Sequence, residues 1–368
     1  MNVLLLTSHA IAEHDDLEMF TRMGVPTYSI GGAYDELLPF EGKRPAIANL
    51  VRYPELEAAT NEQRARMHRQ YGDAAQVIDW AKARLAPEVI DWADTIIVHH
   101  FPEAWIGGQW NAIRDKRVIW RTCGQSDPRL ESVMARYVEQ GLQVVRYSPK
   151  EREAFTQWGA FAGESTMIRF GKDPAEWSGW TGNGHITAGN GVAIGTPRDP
   201  SVSAPFVGNI TQDMKQRGDA CGYDFWTEAT AGLNARPAGP GSEALPGGVG
   251  SLTYDGMREY LRACRVYLYT GTRPASYTLG LIEAMMTGTP VVSIGTEHFQ
   301  PAALFEAHEI TRAGANSPDV ARRWLTQLLS NPGEAAELGG RQQARAIELF
   351  GLDGVMAAWH DFLGTVAA

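Results

Sequence analysis

Short runs of consecutive apolar residues recur along the chain, separated by longer stretches in which apolar positions return every three or four residues. Val3–Thr7 is the first such run and predicts a buried strand. A helical pattern follows over 13–23, Gly24 stands as its C-cap, and Val25–Ile30 reads as a second strand. Residues 54–93 read as mostly helical. Thr95–His99, Arg117–Arg121 and Gln143–Tyr147 are further strands by their β-branched content, and Ser148-Pro-Lys-Glu151 opens a helix with Pro at its first turn. Strands alternating with helices at this spacing predict a parallel sheet covered on both faces.

The rhythm breaks at the Gly-rich stretch 171–199, read as a connection between two domains with one strand, His185–Ala188, inside it. A second alternating run follows. Helices are predicted at Tyr223–Ala231, Tyr254–Ala263 and 277–287, and strands at 233–237, Arg265–Thr270 and Val291–Ile294. The tail reads as helices over 318–329, 334–349 and 353–363.

Composition narrows the class without naming a chemistry. The 368 residues carry 33 Lys+Arg against 43 Asp+Glu, a formal charge of −10, and 44% are hydrophobic. That apolar share, with 11 Trp, 12 Tyr and 12 Phe, excludes general disorder and suits two globular domains. No apolar run approaches the roughly 20 residues of a membrane span. The N-terminus lacks a basic n-region and reads as a strand, not a signal peptide. Cys123, Cys221 and Cys264 fit neither a zinc pattern nor a disulfide framework, so a reducing cytoplasm is the expected setting. The acidic total weighs against a general nucleic-acid coat but not against a local basic edge.

The most informative segment is Tyr269–Ile294, where a buried strand ends in a Gly/Pro loop and a helix is predicted to begin near Ser276 or Tyr277. Helix N-termini expose unpaired N–H groups and the positive end of a dipole, a ready phosphate site. Glu283 lies seven residues after Ser276, roughly 10 Å along such a helix. That is comparable with the distance from a diphosphate to its ribose, whose vicinal hydroxyls a carboxylate can accept.

Residues 265–294 resemble the donor-binding motif of retaining GT-B glycosyltransferases of the family 4 (group 1) type, through Glu283-Ala-Met-Met-Thr-Gly-Thr-Pro-Val-Val292. Ser148-Pro-Lys-Glu, Phe170-Gly-Lys-Asp173 and Gly248–Tyr260 extend the resemblance more weakly. It implies an α/β GT-B fold, two doubly wound Rossmann-like domains facing a central cleft. The implied division is an acceptor-side domain over 1–172, a nucleotide-sugar domain over 173–350, and a C-terminal helix over 351–368 crossing back. The implied activity is hexosyl or pentosyl transfer from a nucleotide-sugar, with retention and no metal; the nucleotide-sugar is a substrate, and no cofactor is implied. Donor contacts fall on Glu283, Ser276, Tyr277, Thr278 and Leu279. Arg273, Lys215, Arg198 and Arg217 are the cations for the leaving diphosphate, since the chain has no Asp-x-Asp. The family's first glutamate, eight positions before Glu283, is replaced by Ala275, which leaves the donor sugar and the stereochemistry open.

In the first half, His99 and His100 stand at the carboxyl end of a strand, where α/β sheets place ligands. Alternation lets one of them point inward, and the resemblance implies a histidine facing the donor sugar. Arg121, ending the next strand, faces an acceptor or phosphate on one reading and closes a salt-bridged turn on the other. His9 and Glu13-His14-Asp15-Asp16 read as cleft-edge groups or, preferentially, as capping acids. Gly31-Gly32 reads as a turn, Asn209 and a Gly208 turn as site lining, and Trp177, Trp180 and Trp226 as core rather than sugar platforms. The acceptor stays open among a small molecule, a glycan and a hydroxylated DNA base. The last of these would use Lys43, Arg44, Arg64, Arg66 and Arg69. A nucleotide-sugar epimerase and a non-catalytic nucleotide-sugar-binding module are the alternatives.

Overall fold

A computed structural model of the chain describes residues 1–7, 9–31, 44–71, 84–99, 102–124, 127–157, 165–186 and 204–364. The chain divides into two compact units, 1–171 with 355–368, and 172–354. No described helix is long and apolar enough to cross a membrane.

The first unit runs β1 (Val3–Leu6), α1 (Ala10–Arg22), β2 (Thr27–Ile30), α2 (Pro54–Tyr71), α3 (Pro87–Trp92), β3 (Thr95–His99), α4 (Pro102–Ile106), α5 (Trp110–Ile113), β4 (Arg117–Arg121), α6 (Pro128–Val138), β5 (Gln143–Arg146), α7 (Pro149–Gln157) and β6 (Thr166–Met167). Its six strands form one parallel sheet in the order β2-β1-β3-β4-β5-β6. The direction of winding reverses between β1 and β3, the place where such sheets bind ligands beyond the strands' carboxyl ends. β1, β2 and β3 are buried at every residue, as expected for strands covered on both faces. Leu4, Leu6, Ile96, Val98, Trp105, Trp120 and Met134 belong to one core cluster.

The second unit runs α8 (Pro174–Trp177), β7 (Val207–Ile210), α9 (Met214–Arg217), α10 (Tyr223–Thr230), β8 (Ala235–Ala238), α11 (Tyr254–Ala263), β9 (Val266–Tyr269), α12 (Leu279–Thr287), β10 (Val291–Ile294), α13 (Ala307–Thr311), β11 (Gly314–Ala315), α14 (Pro318–Ser330) and α15 (Pro332–Phe350). Its parallel sheet has the order β11-β10-β9-β7-β8, with the reversal between β7 and β9. The final helix, α16 (Leu352–Leu363), begins in the second unit, and its residues from Val355 onward belong to the first.

Local chemistry sets many of the helix starts. Asp127, Asp173, Ser317 and Asn331 each accept a backbone N–H at an N-cap, and each is followed by Pro at the first helical position. Gly288, at φ +85°, ends α12 in the left-handed conformation that glycine adopts without strain. A Cβ on Gly339 of α15 would lie 2.1 Å from the Gly288 carbonyl oxygen, so α15 closes on the end of α12 because that position is bare.

Several predicted boundaries move. Helix α1 starts three residues before 13, capped by the His9 ring, which accepts the Ala12 N–H at 3.2 Å. The helical stretch 54–93 is two helices among its described residues, because Ala86 is extended ahead of Pro87. Strand 233–237 becomes Ala235–Ala238. The connection read over 171–199 is in its described part an integral layer of the second unit. Trp177 is buried, Trp180 Nε1 donates to Cys264 O at 2.7 Å, and Gly184 N donates to Ala263 O at 2.9 Å. The strand predicted at His185–Ala188 extends outside the described residues.

Candidate functional site

In the second unit the ladder between β7 and β9 pairs Val207 with Val266 and Gly208 with Tyr267. Beyond that point side chains take over from backbone. Asn209 Nδ2 donates to Leu268 O at 2.8 Å, and the hydroxyls of Tyr260 and Tyr267 accept the N–H groups of Asn209 and Ile210 at 3.0 and 2.9 Å. Gly208 is a strand residue and not a turn. A Cβ there would come within 2.6 Å of Cys264 Sγ and 2.8 Å of the Tyr260 hydroxyl, so glycine lets α11 lie on the strand. Asn209 is buried among these groups.

The loop after β9 carries the motif. Helix α12 begins at Leu279, with Thr278 as N-cap and no acidic residue in its first turn. Thr278, Leu279 and Gly280 are half-buried, so the first turn of α12 lies near the surface. The predicted start at Ser276 or Tyr277 is therefore displaced by two to three residues. The Ser276 carbonyl accepts the N–H groups of Glu306 and Ala307 at 3.2 and 3.1 Å, and Tyr277 is buried edge-on against Phe350 at 5.3 Å. These two residues anchor the loop to the core. Ala275 is buried in a tight turn, its N–H on Thr272 O at 2.7 Å.

Glu283 then lies about 6 Å from the start of α12 rather than 10 Å. It is 2% exposed and paired with Lys172, whose Nζ stands 2.9 Å from Oε1. Lys172 is itself buried, with the Trp177 ring 5.6 Å from its ammonium. The sequence analysis quoted Lys172 within Phe170–Asp173 and gave it no role. A lysine beside apolar Phe170 and Trp177 was the signal, because a cation in such surroundings demands an acid.

Of the predicted cations, Lys215 and Arg217 are exposed on α9. Arg273 is half-buried in the motif loop, its backbone N–H on Ala220 O at 2.7 Å and its guanidinium on Asp219 O. The segment 218–221 and the motif loop thus adjoin, and Arg217 and Arg273 both lie near enough to Cys221 to pull its thiol pKa down against burial. Arg198 lies outside the described residues. Among the described residues no group of three or more His, Cys, Asp or Glu side chains is placed to hold a metal ion.

In the first unit the register pairs His99 with Arg121 on adjacent strands. Asp16 of α1 meets both, Oδ2 standing 3.0 Å from His99 Nε2 and 3.0 Å from Arg121 Nε. His99 and Arg121 are both 0% exposed. Arg121 Nη2 donates to Arg169 O at 3.3 Å, and its guanidinium lies between the rings of Phe170 and Trp359, 4.7 and 5.0 Å from their centroids. The salt-bridged reading of Arg121 is the one observed. Burial holds the His99 imidazole below its ordinary value despite the pull of Asp16. His100 lies outside the described residues.

Of the acids after His9, Glu13 lies in the first turn of α1 as expected, but its carboxylate is turned to the sheet. Glu13 is buried and accepts the Ser29 hydroxyl at 2.6 Å, and a Cβ on Gly31 would meet its carboxylate at 2.5 Å. His9 itself is half-buried at the end of β1, and burial lowers its pKa. Of the basic edge, Arg44 Nε pairs with Asp15 at 3.6 Å, and Arg66 with Glu62 at 2.6 Å; Lys43 lies outside the described residues. Further along the sheet, Arg146 grips Glu131 with two bonds of 2.9 Å, and Thr122 Oγ1 donates to Glu151 Oε2 at 2.6 Å. Glu151 is fully buried, and burial pushes its carboxyl up to about 8.

No family model matches the chain, and no curated protein matches it in sequence. Solved structures do match over essentially the whole length. Anabaena HepE in complex with UDP and glucose aligns at a TM-score of 0.62 and 13% identity, covering 100% of both chains. Sucrose-phosphate synthase from Thermosynechococcus elongatus aligns at 0.65 and 14%, covering 99% of this chain and 98% of that one. A glycosyltransferase from Rickettsia africae aligns at 0.62 and 10%, covering 98% and 97%. At such identities the likeness is one of fold, and it defines a two-domain, Rossmann-like GT-B protein.

Proposed function

We propose that the chain is a glycosyltransferase that binds a nucleotide-sugar on its second unit and transfers the sugar, hexosyl or pentosyl, with retention and without a metal. The observation that carries this reading is the start of α12. Half-buried residues at Thr278–Gly280 with no acid in the first turn stand at the strand reversal between β7 and β9, with Glu283 one turn further in. HepE, of the same fold, is described with UDP and glucose. As the bond from the sugar to the diphosphate breaks, negative charge grows on the leaving oxygen. The N–H groups and the cations Lys215, Arg217 and Arg273 offset that charge. Retention is supported by the likeness of Glu283–Val292 to the retaining motif.

The test is a thermal-shift panel of nucleoside diphosphates and nucleotide-sugars, followed by product analysis. A folded state that binds a ligand melts higher in its presence. A shift with one base and its sugar conjugates, with slow release of free sugar or transfer to an added acceptor, is expected. No shift with any nucleoside diphosphate would overturn the proposal. An isomerised nucleotide-sugar as the product would make the chain an epimerase, and binding without turnover a binding module.

A further inference from the structure

A carboxylate and an ammonium removed from water together gain little net stability, and apolar residues of similar size often serve as well. The Lys172–Glu283 pair is such an arrangement, both partners at most 4% exposed. Its geometry is more constrained than stability alone requires. The Lys172 backbone is held on both sides: its N–H donates to Phe350 O at 2.8 Å, and its carbonyl accepts the Leu352 N–H at 3.0 Å. A parallel bridge to Gly351 completes the grip. The side chain leaves this fixed point along the buried Trp177 ring and ends on Glu283 Oε1. The Glu283 backbone sits within α12, its carbonyl also accepting the Thr287 hydroxyl at 2.7 Å.

We infer that Lys172 is a positioning residue for Glu283: it balances the buried charge and sets the orientation in which the carboxylate receives the ribose hydroxyls. This rests on the donor reading above. An unconstrained glutamate side chain samples several rotamers, and a diol acceptor held in one of them binds without that ordering cost. In this role Lys172 acts through Glu283, so its contribution to ribose selection vanishes when Glu283 no longer carries charge.

The test compares UDP with 2′-deoxy-UDP by calorimetry on the full chain, or the adenine or guanine pair if the panel selects that base. Wild type should favour the ribonucleotide by roughly tenfold or more, the scale of a hydrogen bond to a charged group. Lys172→Met should bring that ratio close to one, and Lys172→Arg should keep most of it. Because Lys172→Met leaves a buried carboxylate unpaired and can fail to fold, a second comparison uses Glu283→Gln and the Glu283→Gln/Lys172→Met double variant. Equal UDP affinity in these two supports the inference. A further loss in the double variant, or an unchanged ratio in Lys172→Met, overturns it. A wild type that binds both nucleotides equally removes the ribose role while the donor reading stands. One that binds neither removes the donor reading itself.

Discussion

Asp16 Oδ2 lies 3.0 Å from His99 Nε2, in a position where neither side chain reaches water. The same oxygen lies 3.0 Å from Arg121 Nε, so one carboxylate from α1 stands as the counter-charge to two groups at the ends of adjacent strands. Asp16→Ala would leave the Arg121 charge buried without its partner, at a cost of about 3–5 kcal/mol. Asp16→Asn, which keeps a carbonyl oxygen, should cost less. Urea unfolding followed by circular dichroism measures both, and a loss below about 1 kcal/mol for Asp16→Ala would contradict the pairing.

The depressed His99 pKa gives the stability an acid-side dependence. The folded chain resists protonating His99, whereas the unfolded imidazole takes a proton near its ordinary value of 6.5. Stability from this group is therefore complete above that value and declines as pH falls through it. His99→Gln should flatten the melting curve in that window, and an unaltered slope would show another group to be responsible.

Glu151 acts in the opposite sense. Its carboxyl is raised by burial to about 8, against 4.5 unperturbed, so its contribution is complete at acid pH and is lost as pH rises towards 8. The nearby Arg146 charge and the Thr122 hydroxyl that it accepts both favour the ionised form without offsetting the cost of burial. Glu151→Gln, neutral at every pH, should melt higher than wild type at pH 8–9 and about the same at pH 5. Parallel profiles would refute this.

Arg117 caps the last helix of the chain. Its guanidinium donates to the carbonyls of Phe362 at 2.7 Å and Leu363 at 3.2 Å, and lies 4.6 Å from the Phe362 ring. Arg117→Ala should release the final turn of α16 at a cost of about 1 kcal/mol. Faster amide exchange confined to the residues around Phe362 is the expected signature. Uniform change across the unit would point to a wider role.

Arg273 is the predicted cation best fixed in place, since its loop is bonded to Ala220 and Asp219. Arg273→Ala should weaken nucleoside diphosphate binding roughly tenfold, the strength of a charge-assisted contact to phosphate. Binding of the parent nucleoside should change little. Equal effects on both ligands would mean that the loop and not the charge was lost.

Much of the architecture was legible because it is written locally. Continuous apolar runs such as Thr95–Val98 announce strands covered on both faces, and Gly288 followed by Pro290 ends a helix whatever surrounds it. The motif Glu283–Val292 could be read for the same reason, since a helix, its cap and the next strand occupy consecutive residues. The burial of His99 and Arg121 was not legible, because position at a strand's carboxyl end says nothing of what covers it. Asp16 was read as a capping acid since the residues around it carry no mark of the strands it would meet.

Strand and helix order, the two alternating runs and the place of the loop before α12 were set by periodicity and punctuation, which act over a few residues. Tertiary structure alone decided which charges meet. Lys172 and Glu283 are 111 residues apart in sequence, and Asp16 is far from both His99 and Arg121. A buried charge must find an opposite one, but any of 43 acidic residues could have served. Packing made the choice, because it removes water from a few sites and brings a carboxylate to each of these cations.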